Sequence, residues 1–235
     1  MSGHSHWSSI KHQKGAADAK RGKVFSKLSR QIIIAAKEGG KDPETNPKLR
    51  MAIDQAKSFN MPKDNIERAV KKGAGELIGE KLESVIFEVI GPGKTAIIIE
   101  GITDNKNRAL FEIKKILNAN NSKLASEGSL KWLFERKGVV TIKKNKEDEL
   151  KIIEAGAEDI KEKEDFFEVQ TKPENLELVK KNLAGNGFEI EYSSIDFRPK
   201  EYVAVEEKEK NACRKLFEAL DENDTVQEIY SNIEL

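Results

Sequence analysis

Gly73, Gly75 and Gly79 fall within one short stretch, residues 73–80, and the spacing of apolar side chains differs on its two sides. Upstream, apolar residues recur every three or four positions; downstream, they alternate. The chain must therefore combine a helical part with a part built on sheets, joined by a linker.

Before the linker, Val24, Leu28, Ile32 and Ala35, with Phe25 and Ala36 beside them, predict a helix that Gly39-Gly40 stops. Asn46-Pro47 supplies a cap and first position for a second helix through Leu49, Ile53 and Ala56. Pro62 opens a third through Ile66, Ala69 and Val70, ending at Gly73. Each helix has one apolar face, so the three are expected to bury those faces together.

After the linker, runs at 85–90 and 95–102 flank Gly91-Pro92-Gly93-Lys94, which reads as a hairpin with Pro at the second turn position and Gly at the third. A helix capped by Asp104 or Asn105 follows, through Leu110, Ile113, Ile116 and Leu117. From Gly138 the expected order is strand 139–143, helix 147–155, strands 159–163 and 166–171, helix 173–183 and strand 188–197, a complete βαββαβ ferredoxin-like unit. The tail supplies a strand at 202–205, a helix through Ala212, Leu216 and Leu220, and a strand at 226–230. The class expected is α+β: an N-terminal three-helix domain followed by two α/β domains, one inserted in the other. The boundaries expected are a flexible basic arm at 1–23, helices at 24–76, a discontinuous α/β domain at 81–137 with 199–235, and the ferredoxin-like domain at 138–198.

Overall charge hides the next feature, because 41 basic and 41 acidic side chains cancel. Residues 1–76 hold 16 Lys/Arg against 8 Asp/Glu, which leaves 25 against 33 for residues 77–235. A polyanion is attracted to the first third and repelled by the rest. The first thirty residues carry seven Lys or Arg, all three histidines and Trp7, with Asp18 the sole acid. Apolar periodicity is missing from the first 23, so this segment reads as an arm that orders on a phosphate backbone.

Other motifs resolve into structural readings. Gly93-Lys94-Thr95 lacks the upstream glycine of a phosphate-binding loop and precedes a strand. His4, His6 and His12 lack further ligands to complete a metal site, so no metal or cofactor is expected. Cys213 shares a stripe with Leu216, Phe217 and Leu220, which makes it a buried hydrophobe. With every histidine in the arm, the rest of the chain lacks the usual general base, and a non-enzyme is expected. The third helix carries Lys63, Asn65, Arg68, Lys71 and Lys72 but also Asp64 and Glu67, a poor recognition helix. Asn105 reads equally as a helix cap or as a ligand contact, and Arg108 leans to contact. Trp7, with no apolar neighbours, is favoured for stacking over anchoring the first helix.

A set of segments ties these features together: Gly3-His4-Ser5 with Trp7, Ile10-Lys11-His12, residues 18–23, 35–40, 42–43, 46–47, 60–64 and 72–75, then Gly91-Pro92-Gly93, Thr103-Asp104-Asn105 with Asn107-Arg108, and residues 132–138. By these the chain resembles the YebC/PmpR family, over residues 3–138 by motif and over the remainder by element order. It departs from the usual pattern at His6, where Lys is common, and at Ile90 and Lys94, where Tyr and Gly are frequent. The resemblance implies three domains, one interrupted by another, and a non-enzymatic role in gene expression. Members are described as DNA-binding transcriptional regulators, mitochondrial relatives activate translation, and bacterial members have been linked to ribosomes stalled on proline-rich stretches.

The function expected is a nucleic-acid-binding regulator, acting either on DNA or with ribosomal RNA and the ribosome, with a protein-interaction module as the alternative. The residues expected to contact nucleic acid are Trp7, Lys11, His12, Lys14, Lys20, Arg21, Lys23, Lys27, Arg30 and Arg108. The chain is also expected to be monomeric and cytoplasmic, with no membrane partner and no small-molecule substrate; its longest apolar runs are strand-length and one cysteine forms no internal disulfide.

Overall fold

The computed structural model describes residues 18–79, 81–144, 149–163 and 165–235. The described residues divide into two compact units, one of 18–135 with 198–235 and one of 136–197.

The first unit begins with three helices: α1 (Asp18–Gly39), α2 (Pro47–Ser58) and α3 (Lys63–Gly73). Leu28, Ile32, Ala35 and Ala36 of α1 form one buried cluster with Leu49, Ala52 and Ala56 of α2 and Ile66 and Ala69 of α3. Asn46 fastens the α1–α2 corner: its side-chain oxygen accepts the Leu49 N–H at 3.0 Å, while its amide donates to the carbonyls of Ala35 and Gly40 at 2.8 Å. The helix expected from Val24 thus starts six residues earlier, at Asp18, and residues 18–23 belong to it. Apolar periodicity does not reach these turns because Arg21, Gly22 and Lys23 precede the first apolar residue of the buried face, Val24.

The same unit continues with β1 (Glu83–Ile90), β2 (Ala96–Thr103), α4 (Lys106–Ala119) and the two-residue β3 (Lys123–Leu124). The hairpin pairs Glu83 with Thr103 through Ile90 with Ala96. Its turn places both Gly93 (φ 64°) and Lys94 (φ 58°) in the left-handed region, closed by the Gly91 N–H to the Thr95 carbonyl at 2.9 Å. Strand β3 is too short for periodicity to show.

β4 (Phe134–Lys143) leads into the second unit, which holds α5 (Glu149–Glu154), β5 (Asp159–Glu162), β6 (Phe166–Thr171), α6 (Leu176–Gly185) and β7 (Ile190–Pro199). Its sheet runs β5-β6-β4-β7, the order a ferredoxin-like βαββαβ chain requires. The chain then returns to the first unit with α7 (Glu207–Asp221) and β8 (Val226–Ser231), whose sheet runs β3-β1-β2-β8. Helices α4 and α7 cover this sheet, burying Ile113 and Leu117 with Cys213, Leu216 and Leu220 against Val89, Ile97 and Ile99. The strand expected at 202–205 does not form; the segment is tied instead by the Val203 N–H to the Asn232 carbonyl at 2.8 Å. Among the described residues no helix is long and apolar enough to cross a membrane.

Candidate nucleic-acid interface

Lys23, Lys27 and Arg30 are spaced four and three apart, which places them on one stripe of α1. From Lys23 onward the stripe is occupied by the protein itself. Lys23 Nζ meets Glu222 at 2.9 Å, an exposed pair. Lys27, only 3% exposed, donates from Nζ to the Asp221 carboxylate at 2.7 Å and to the Asp221 carbonyl at 3.2 Å. Arg30 donates to the carbonyls of Ile102 at 3.2 Å and Asp224 at 2.9 Å, and about two turns further along, Lys37 donates to the Leu82 carbonyl at 2.8 Å. The Asp221 and Asp224 carbonyls, with the Asp221 and Glu222 carboxylates, gather at the C-terminal end of α7, a negative pole that favours cations. Ile34, Leu82 and Ile102 close over the contact as a small apolar cluster.

Lys27 and Arg30, both expected as nucleic-acid contacts, join the helical domain to the middle sheet domain, and their charges are engaged by acceptors of the protein itself. Lys23 spends its charge on Glu222 in this structure. Arg108 sits beside the same corner. It pairs with Asp104 and lies 3.9 Å from Glu112, and Glu112 accepts a hydrogen bond from Asn223 at 2.9 Å. Asn105 proves to be the α4 cap, accepting the Arg108 N–H at 3.1 Å.

Much of the remaining charge on the helical domain is also offset locally. Lys48 meets Glu38 at 2.5 Å, Lys63 meets Glu67 at 3.6 Å, and Lys41 meets Glu76 at 2.5 Å. The Lys41 hydrogen bond and charge hold the Glu76 carboxyl below its ordinary pKa. Arg21 is exposed on α1, and Lys20 lies in its first turn. Trp7, Lys11, His12 and Lys14 lie outside the described residues.

Cys213 is fully buried, 3.8 Å from Thr95 Oγ1, and burial pushes its thiol above the usual pKa, the opposite of what a nucleophile needs. No group of three or more His, Cys, Asp or Glu suited to holding a metal ion occurs among the described residues. Sequence reasoning gave no role to Asp221, Glu222 and Asp224; the one signal was a run of acids closing a helix whose C-terminus would otherwise prefer bases.

The family model described as the TACO1/YebC N-terminal domain matches residues 5–76, and that of the TACO1/YebC second and third domain matches residues 82–233. A probable transcriptional regulatory protein of Caldanaerobacter subterraneus is 47% identical over 240 residues, covering 100% of this chain and 99% of its own length. Another, from Thermotoga maritima, is 48% identical over 240 residues, covering 100% and 94%. The crystal structure of the conserved hypothetical protein Aq1575 from Aquifex aeolicus superposes with a TM-score of 0.90 at 45% identity, over 97% of this chain and 96% of that one. On sequence and architecture together, this chain belongs to the TACO1/YebC family.

Proposed function

We propose that the protein is a non-enzymatic, nucleic-acid-binding regulator of gene expression that grips phosphate with its N-terminal residues. The carrying observation is the distribution of charge. The N-terminal stretch holds Lys11, Lys14, Lys20 and Arg21 against a single acid, Asp18, and the basic side chains from Lys23 onward along α1 have acceptors within the protein. An excess of cations at one end of a chain whose remainder is acidic docks a polyanion in one orientation. Trp7 and His12 add groups able to stack or hydrogen-bond once phosphate is engaged. The relatives' names, probable transcriptional regulatory proteins, support a regulatory role. The mixed charge of α3, with Asp64 and Glu67 among its bases, favours structured RNA, as on a ribosome, over sequence reading in a DNA groove.

Four phosphate contacts give a slope of log affinity on log salt of about −3.6 on duplex and about −2.8 on single strands. A slope near zero refutes the electrostatic mode. Removing residues 1–17 takes away Lys11 and Lys14 but keeps Lys20 and Arg21 on α1, and is expected to weaken binding and lower the duplex salt slope to about −1.8; a protein-interaction module keeps its function after that truncation. Sequencing nucleic acid crosslinked in cells separates the two targets, ribosomal RNA for one and promoter DNA for the other.

A further inference from the structure

Strand β1 carries one acid turned away from water. Glu88 is 4% exposed, and its carboxylate accepts the backbone N–H groups of Gly128 at 2.5 Å, Leu130 at 2.6 Å and Lys131 at 3.0 Å. Its backbone carbonyl accepts the Ala125 N–H at 2.7 Å. The Ser129 hydroxyl donates to the Ser126 carbonyl at 2.6 Å, and beyond the loop the Lys200 N–H donates to the Leu133 carbonyl at 2.9 Å. Hydrogen bonds to an ionised acceptor are about twice as strong as neutral ones, so one carboxylate with three donors holds residues 125–133 in a single shape.

On this fixed loop stands Trp132, 65% exposed. Its indole Nε1 donates to the Ser129 carbonyl at 2.8 Å, which sets the ring's direction and satisfies its one polar atom internally. What remains outward is the flat aromatic surface. A ring this exposed stands outside the core, and an extended peptide would need a groove with walls. A planar partner needs only the plane. The loop exposes one charge of each sign, Glu127 and Lys131, so it does not collect phosphate by charge, and stacking is what it offers.

We propose that Trp132 is a stacking platform for an unpaired nucleobase, a second nucleic-acid contact carried by the middle domain. This rests on the nucleic-acid reading above and narrows its ligand to a strand with at least one base free of pairing. Stacking on an aromatic side chain is sequence-tolerant, and truncating the ring to Ala costs roughly 5- to 150-fold in affinity.

The full chain labelled with 5-fluorotryptophan gives two fluorine resonances, for Trp7 and Trp132, assigned with Trp132→Phe. Titration with a single-stranded RNA oligonucleotide is expected to shift the Trp132 resonance, while an abasic sugar-phosphate chain of equal length binds without shifting it. Trp132→Ala is expected to weaken binding of the oligonucleotide by that factor and leave abasic binding unchanged, which also shows that the variant is folded. An equal Trp132 shift with the abasic chain overturns stacking. So does oligonucleotide binding that leaves Trp132 unmoved, although the phosphate-gripping reading then survives. A shift produced by a proline-rich peptide and not by the oligonucleotide makes the loop a protein-docking surface. If neither polymer binds, the nucleic-acid reading fails, and the platform with it.

Discussion

At the scale of single residues, the decisive group is Lys27. A lysine in a basic run resembles a phosphate contact when read in one dimension, yet this one is buried against Asp221. Taking one partner away from a buried pair leaves an uncompensated charge, so Asp221→Asn is expected to destabilise the protein by about 3 kcal/mol. Adding Lys27→Met should recover part of that loss, because the stranded charge is then gone. Urea unfolding of the single and double variants measures both; an Asp221→Asn midpoint unchanged from wild type means that the pair contributes nothing. Asn105 illustrates the opposite case. Its type and its place before a helix restricted it to two roles, and the hydrogen bond it accepts from the Arg108 N–H, at 3.1 Å, selects the cap.

At the scale of elements, helix and strand identities follow from period, while element ends depend on partners. Helix α1 extends back to Asp18, and a contact such as that of Lys23 with Glu222 leaves no apolar signature upstream of Val24. Gly73 shows the same limit. It reads as a stop signal and linker residue, yet it is the last residue of α3 and crosses α1 so closely that a Cβ would lie 2.4 Å from the Ile33 carbonyl oxygen and 2.7 Å from the Ala36 Cβ. Neither neighbour can swing aside, since one is backbone and the other a buried methyl. Gly73→Ala is therefore expected to cost about 1–3 kcal/mol by forcing the helices apart, read as a lower thermal midpoint, whereas the same change at Gly75, in open space but at φ 77°, acts only through backbone strain.

At the scale of the whole molecule, the two halves of the first unit are separated in sequence by residues 136–197, yet Leu133 and Lys200 are joined by a backbone hydrogen bond of 2.9 Å. The gap left by excising 136–197 is thus short. A chain of residues 1–135 joined to 198–235 by a brief Gly-Ser turn is expected to unfold in one cooperative transition, with a urea m-value reduced in proportion to the surface removed. A broad, non-cooperative transition would mean that the first unit depends on the excised residues. Charge at this scale was legible directly, because the excess of bases before residue 77 is a sum over residues and requires no fold. Which of those bases are spent internally was not.

The sequence by itself determined the class: three amphipathic helices, then two α/β layers, with the βαββαβ order written in alternating periods and turn residues, because these signals act between near neighbours. It determined the polarity of charge for the same reason that a sum ignores position. Only the tertiary structure decided that Lys23, Lys27 and Arg30 answer acceptors nearly two hundred residues away, that Gly73 is a contact and not merely a break, and that Glu88 folds a loop beneath Trp132. Each of these depends on which distant groups arrive within hydrogen-bonding or van der Waals distance, and an interaction of that range leaves no periodic trace in the chain.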